Sequence, residues 1–327
     1  MKIAVILLVI ALAGVSVFAQ SPTLRVVTDD PNLPSELYYG NVKVKPLRVR
    51  PGTNPAQIIT IDDSDFFVQQ QYVDFLNRMP DTSGFAFWNS NITNCGANAT
   101  CVDAARVNTS AAFYLSIEFQ TTGYLVEKMY KAAFGSTNGA STFGGSHNLP
   151  VPIVKLSEFL PDTKLIGKNL IVGQTGWEAV LEANKQAFAE DFVQRSKFTT
   201  PFPSSTTPTN FVNALFANAG ITPSSTELST AIGEFGSNAT DISNATARAK
   251  ALRDVAENST LSSQEFNRAF VLMQYFGYLR RDPNSGNDTD YTGYDFWLTK
   301  LNQANGNFQN ADMVKSFLVS SEYRGRF

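Results

Sequence analysis

Histidine occurs once and cysteine twice in the 327 residues. That scarcity argues against a metal centre or a thiol redox site. Cys95 and Cys101 are not in a C-x-x-C arrangement, and the lone His147 stands apart in a Gly/Ser/Asn stretch. Charge is also sparse: charged residues make up 17%, with 26 Lys plus Arg against 29 Asp plus Glu. No basic cluster forms a stripe, which excludes nucleic acid as an expected partner. Beyond the amino-terminal segment, no apolar run is long enough to span a membrane. What the chain has in quantity is phenylalanine, 25 residues within a hydrophobic content of 43%. This composition fits a globular protein with a neutral polar surface and a core of Phe and Tyr. A chain of this length buries roughly three quarters of its unfolded surface, so its core needs neither metal nor disulfide.

The amino terminus reads as an export signal. Lys2 supplies the positive start, Ile3 to Val15 the apolar run, and Val17-Phe-Ala19 the small-x-small cleavage pattern, leaving Gln20 first. In an oxidising compartment the close pair Cys95 and Cys101 is expected to form a disulfide, contributing about 2 kcal/mol in the chain-entropy model. Residues 20–64 read as an extended arm or small hairpin. Val42-Lys-Val44-Lys and Leu47-Arg-Val49-Arg alternate apolar and basic residues, with Pro and Gly around them.

The rest of the chain is organised by a stretch that recurs. Val68, Tyr72, Leu76, Arg78 and Pro80 are followed by Gly84 and Trp88, and the stretch closes with Ser116-Ile-Glu118-Phe119. Val271, Tyr275, Leu279, Arg281 and Pro283 are followed by Gly293 and Trp297, then Ser320-Ser-Glu322-Tyr323. Val, Tyr and Leu at four-residue steps define one apolar helical face. Pro80 is expected to end the first helix and Asp81 to cap the next. The expected organisation is a signal peptide (1–19), the arm (20–64), helical unit 1 (65–123), degenerate unit 2 (124–200), a Pro-rich linker (201–209), degenerate unit 3 (210–268) and unit 4 (269–327). Unit 2 closes on Arg195-Ser-Lys-Phe198 and unit 3 on Ser263-Gln-Glu265-Phe266. The fold class is mainly α, repeated helical units with a short extended or β amino-terminal arm.

Charges embedded in apolar stretches need partners. Arg78 is expected to pair with Glu118, and Arg281 with Glu322, because the planar guanidinium holds a carboxylate at two points. Trp88 and Trp297 have two readings, core helix positions or sugar-stacking platforms, of which core is preferred. Asp282, Asn284, Asp288 and Asp290 form a loop rich in oxygen ligands. It departs from the helix-loop-helix calcium pattern, and the plainer reading is a turn in which Asp290 caps the next helix. Asn-x-Ser/Thr sites occur at Asn91, Asn98, Asn108, Asn238, Asn244, Asn258 and Asn287. They matter in a host that glycosylates asparagine.

The Val-x-x-x-Tyr-x-x-x-Leu-x-Arg-x-Pro unit, with Gly-x-x-x-Trp and the closing Ser-x-Glu-aromatic, resembles the domain-of-unknown-function family 4214. The resemblance covers about 65–119 and 270–327. It implies short helical modules in exported and cell-surface bacterial proteins, and it brings no catalytic residues. Ser320 to Arg324 is also similar to the helical linker domains of phycobilisomes, which implies an assembly role. The expectation is an exported, non-catalytic protein without a cofactor. It would bind protein or surface polysaccharide at the cell surface, in the periplasm or outside the cell, with no membrane span in the mature chain. A carbohydrate-binding module and a glycan-active hydrolase are the alternatives.

Overall fold

The computed structural model describes residues 58–327, and before them the strand segments 24–27, 36–39, 42–46 and 48–49. The export signal and much of the arm lie outside the described residues. Strands β1 (Leu24–Val27), β2 (Glu36–Tyr39) and β3 (Val42–Pro46) form an antiparallel sheet in that order. β4 (Arg48–Val49) pairs with β5 (Ile58–Ile59). The alternating basic segments are thus β3 and β4. A second unit, Thr60–Arg326, is helical apart from one hairpin.

That helical unit opens with α1 (Ser64–Leu76), α2 (Thr82–Thr93), α3 (Ala99–Leu115) and α4 (Ile117–Thr121). It ends with α12 (Ser259–Met273), a π-helical segment (Gln274–Leu279), α13 (Thr292–Gln303), α14 (Met313–Val319) and α15 (Ser321–Arg324). These two segments pack on each other through α1 and the π-helix. The Phe75 ring meets Tyr278 edge-on at 5.2 Å between centroids. A Cβ on Gly277 would stand 2.9 Å from the Phe75 ring, so glycine is what permits the close approach. Around this crossing Gln71, Ser110, Tyr278 and Tyr323 form a buried hydrogen-bonded network.

Between them lie α5 (Gly123–Phe134), the hairpin β6 (Ser136–Ser141) and β7 (His147–Pro152), α6 (Leu156–Ile166), α7 (Trp177–Phe192), α8 (Ser196–Thr199), α9 (Pro208–Ala219), α10 (Ser225–Gly233) and α11 (Ala245–Ala256). Their shared core is a run of phenylalanines. Phe192, Phe198 and Phe211 are each at most 2% exposed, and Phe198 lies 6.0 Å from Phe211 between ring centroids. Each such ring contributes about 1.5–3 kcal/mol on burial. α12 ties the two groups together: Phe270 meets Tyr114 at 4.5 Å while Leu261 is fully buried.

Several expectations are corrected. α1 is ended by Asn77, whose left-handed backbone (φ 55°) stops it three residues before Pro80. The Gly/Ser/Asn stretch around His147 is a paired hairpin, held by its backbone ladder rather than by apolar alternation. Leu156 to Gly176 reads in the sequence as mixed, with short apolar runs, yet Leu156–Ile166 is a helix although Pro161 lies in it. Ser263-Gln-Glu265-Phe266 lies inside α12. The helix start there is Asn258, whose side chain accepts from the Thr260 and Leu261 amides. The expected boundary at 268/269 therefore falls within a continuous helix.

Candidate functional site

The recurrent residues are brought together in both segments. Asn77 and Arg280 adopt the same left-handed conformation (φ 55°) at the ends of their helices. This turns the next residue, Arg78 or Arg281, back towards the segment's carboxy-terminal end. Arg78 Nε donates to Glu118 Oε1 at 2.6 Å and Nη2 to Oε2 at 2.7 Å. Arg281 Nε donates to Glu322 Oε1 at 2.6 Å and Nη2 to Oε2 at 3.1 Å. Each guanidinium also lies over the recurrent tyrosine, Arg78 5.0 Å from the Tyr72 ring and Arg281 5.3 Å from Tyr275. Burial pulls the Arg78 guanidinium down, but the Glu118 carboxylate outweighs it and the net shift is upward. Arg281 is raised the same way by Glu322 and Asp288 against burial.

The serines that begin the closing motifs act as helix caps. Ser116 Oγ accepts from the Phe119 amide and Ser320 Oγ from the Tyr323 amide, both at 3.1 Å. Capping seats Phe119 and Tyr323 in the core, each with no exposed surface. The glycines have a steric role. A Cβ on Gly293 would stand 2.6 Å from the Tyr275 hydroxyl, and one on Gly84 would overlap the Tyr72 hydroxyl. Alanine at either position is expected to cost about 1–3 kcal/mol by displacing the tyrosine. Urea unfolding of Gly84→Ala and Gly293→Ala checks this; an unchanged midpoint in both variants contradicts it.

Trp88 and Trp297 are half-buried, not fully in the core as preferred from the sequence. One side of each rests on a phenylalanine, Trp88 at 5.7 Å from Phe113 and Trp297 at 5.6 Å from Phe317. Phe87 and Phe296 stand edge-on to Trp88 and Trp297, each at 4.9 Å, and Lys300 lies over the Trp297 ring at 5.5 Å. Beside Trp88 a groove of about 280 Å³ is lined by Gly84, Trp88, Ile117 and the Arg78–Glu118 pair. Phe87, Met79 and Ile117 are each more than half exposed.

The candidate calcium loop does not converge on one point. Asp282 Oδ1 accepts from the Leu156 amide at 2.9 Å and so caps α6. Asp288 takes Arg281 at 2.7 Å, and Asp290 accepts from the Thr292 amide at 2.9 Å, at the start of α13. With three carboxylates turned to three different partners, Asn284 has no acidic cluster to join. Among the described residues no three His, Cys, Asp or Glu side chains gather into a metal site. Cys95 and Cys101 form a disulfide. Six Asn-x-Ser/Thr asparagines are exposed, while Asn258 is buried and donates to Glu227 Oε1 at 2.6 Å.

Two constellations invisible in the sequence have the residue types of catalytic sites. Ser141 Oγ donates to Asp295 Oδ2 at 2.6 Å, and His147 Nε2 lies 3.1 Å from the same oxygen. The order is wrong for nucleophile activation: the carboxylate stands between Ser and His, so the imidazole is not placed to take the serine proton. Ser141 is also buried, at 2% exposure. The second is the pair Glu127 and Glu265, from α5 and α12, at 2% and 6% exposure. Burial, then the neighbouring Glu265 charge, push the Glu127 carboxyl well above the usual range. Lys128, Lys131 and Arg268 oppose this without cancelling it.

The folded chain therefore holds the Glu127 proton more tightly than the unfolded chain. Glu127 contributes its stability below the ordinary Glu range, and the contribution is lost as pH rises through the elevated folded value. Glu127→Gln is expected to raise the melting temperature by about 2–4 °C at pH 8 and to leave it nearly unchanged at pH 4.5. Thermal unfolding at both pH values measures this; a variant less stable at pH 8 contradicts it.

An open cleft of about 600 Å³ lies where α4, α5, α12 and α13 meet. Its walls carry carboxamides, hydroxyls and aromatic edges, and no carboxylate lines it. No helix among the described residues is long and apolar enough to cross a membrane. No family model matches the chain, and neither a curated protein nor a solved structure does.

Proposed function

We propose that this protein is an exported, non-catalytic helical binding module acting at the cell surface, in the periplasm or outside the cell. Its first and last segments are two copies of one helical module. The observation that carries the reading is how the recurrent polar residues are spent. Arg78, Glu118, Arg281 and Glu322 fasten helices to one another, while a broad amide-lined cleft stays open between the segments. Acid–base chemistry needs paired groups that a substrate can reach. Glu127 and Glu265 are buried behind α5 and α12, and neither lines the cleft. The disulfide and the sequence pattern of residues 1–19 support export.

The test is co-sedimentation of the mature chain with cell-envelope fragments of its host. Saturable retention in the pellet, with no hydrolysis of envelope polymers on prolonged incubation, is the expected result. A chain that stays in the supernatant at every envelope concentration, or that releases soluble sugars or peptides, overturns the reading.

A further inference from the structure

The cleft of about 600 Å³ falls within the size range of small-ligand sites, roughly 300–1,000 Å³. Its chemistry narrows what fits. Gln120 comes from α4, Gln264 and Asn267 from α12, and Asn302 from α13. Asn267 Nδ2 donates to Asn302 Oδ1 at 2.9 Å. A carboxamide pair joined by one hydrogen bond keeps a spare acceptor and a spare donor whichever way the two amides are turned. Gln120 donates to the Tyr114 carbonyl at 2.7 Å, which leaves its own oxygen open. Gln264 is exposed. The wall thus offers several donors and acceptors of neutral charge within one recess.

The single charged group in the lining, Arg268, is engaged from behind by a backbone carbonyl. It donates to the Pro150 carbonyl at 3.2 Å, and its charge bears on the buried Glu265 and Glu127 carboxyls. The cleft therefore carries one arginine, held towards the hairpin, and its other lining groups are neutral amides, hydroxyls and apolar surface. Beside the amides, the half-exposed Phe266 ring and Leu298 supply a small apolar surface. Planar amides next to an aromatic face match a pyranose, which carries hydroxyls around its rim and C–H bonds on its faces. A peptide recognised by its side chains would instead require closed apolar holes or an open strand edge.

We propose that this cleft is a binding site for a neutral oligosaccharide, with Gln264, Asn267 and Asn302 reading hydroxyls and Phe266 supporting a sugar face. The proposal rests on the binding reading above and names the ligand class of that site. Its test screens the full mature chain against an array of neutral glycans, acidic glycans and peptides. Calorimetry with the best neutral glycan follows. Asn302→Ala and Gln264→Ala remove exposed side chains and leave the core untouched. Each is expected to weaken binding about tenfold, the loss of a hydrogen bond or two. Trp88→Ala, in the separate groove of the first segment, is expected to leave the affinity unchanged, and circular dichroism verifies folding of all three. Three outcomes overturn the proposal: no neutral glycan is bound, an acidic glycan or a peptide is the ligand instead, or affinity follows Trp88→Ala and ignores the cleft variants. If envelope retention persists while any of these holds, the ligand class fails and the binding reading stands.

Discussion

Arg78→Ala is expected to destabilise the protein by about 3 kcal/mol, because it strands a carboxylate in the core. The Glu118 side chain is only 7% exposed, and both of its oxygens are taken by the Arg78 guanidinium. Its replacement partners are poor. The nearest alternative structure is a rotated or hydrated Glu118, and either opens the seat of Phe119 one residue along. Glu118→Ala is milder, since Arg78 is 19% exposed and retains Asp81 at 3.5 Å. The double substitution Arg78→Met with Glu118→Leu is milder still, because a buried ion pair replaced by apolar groups of similar volume is often close to neutral. Equilibrium urea unfolding of the three variants measures the series. Equal losses for all three would show that the cost lies in packing and not in the stranded charge.

Arg326→Ala has an effect at least as large, about 4 kcal/mol or roughly 10 °C in melting temperature. Asp74, in the last turn of α1, has no exposed side-chain surface. Arg326 Nη2 and Nη1 donate to its two oxygens at 2.8 and 3.0 Å. The same guanidinium donates to the Tyr278 carbonyl at 2.7 Å and the Gly277 carbonyl at 3.1 Å, in the π-helical segment. One side chain near the carboxy terminus thus satisfies a buried acid in the first segment and free carbonyls in the last. Burial already pushes the Asp74 carboxyl up, against the pull of Arg326 and Arg280. With Arg326 gone, Arg280 at 4.0 Å is left to face it. Asp74→Asn in the Arg326→Ala background removes the stranded charge and should recover part of the loss. A single Arg326→Ala variant that unfolds at the parent's urea midpoint contradicts this account.

The two contacts differ in how they could be foreseen. Arg78 and Glu118 belong to a pattern that occurs twice, with a charge embedded among apolar residues each time, so the need for a partner is written locally. Helix α1 is equally local, since Val68, Tyr72 and Leu76 recur at four-residue steps. Asp74 and Arg326 are 252 residues apart in the chain. Arg326 sits among exposed-looking residues at the end of the sequence, where a charge usually means solvent. Its role depends on the π-helix lying against α1, and that approach depends on Gly277 meeting Phe75.

The same limit explains the calcium loop. Its acids look clustered along the chain, but Asp282 is drawn to the start of α6 and Asp288 to Arg281, both decided by packing. The meeting of Ser141, Asp295 and His147 is not legible in the sequence, because the β6–β7 hairpin carries no apolar pattern to announce it. The cleft is illegible in the sequence for a related reason. Gln120, Gln264 and Asn302 are ordinary surface amides until α4, α12 and α13 meet.

The measurement closest to the centre of the account is a pair of double-mutant cycles, one on Arg78 and Glu118 and one on Arg281 and Glu322. Both cycles should show favourable coupling. The first should reach about 2 kcal/mol and the second about 1 kcal/mol, because the Glu322 side chain is 31% exposed and Asp288 shares Arg281. Coupling within about 0.3 kcal/mol of zero in the first cycle would mean that the arginine and glutamate do not fasten the module, whatever their distance.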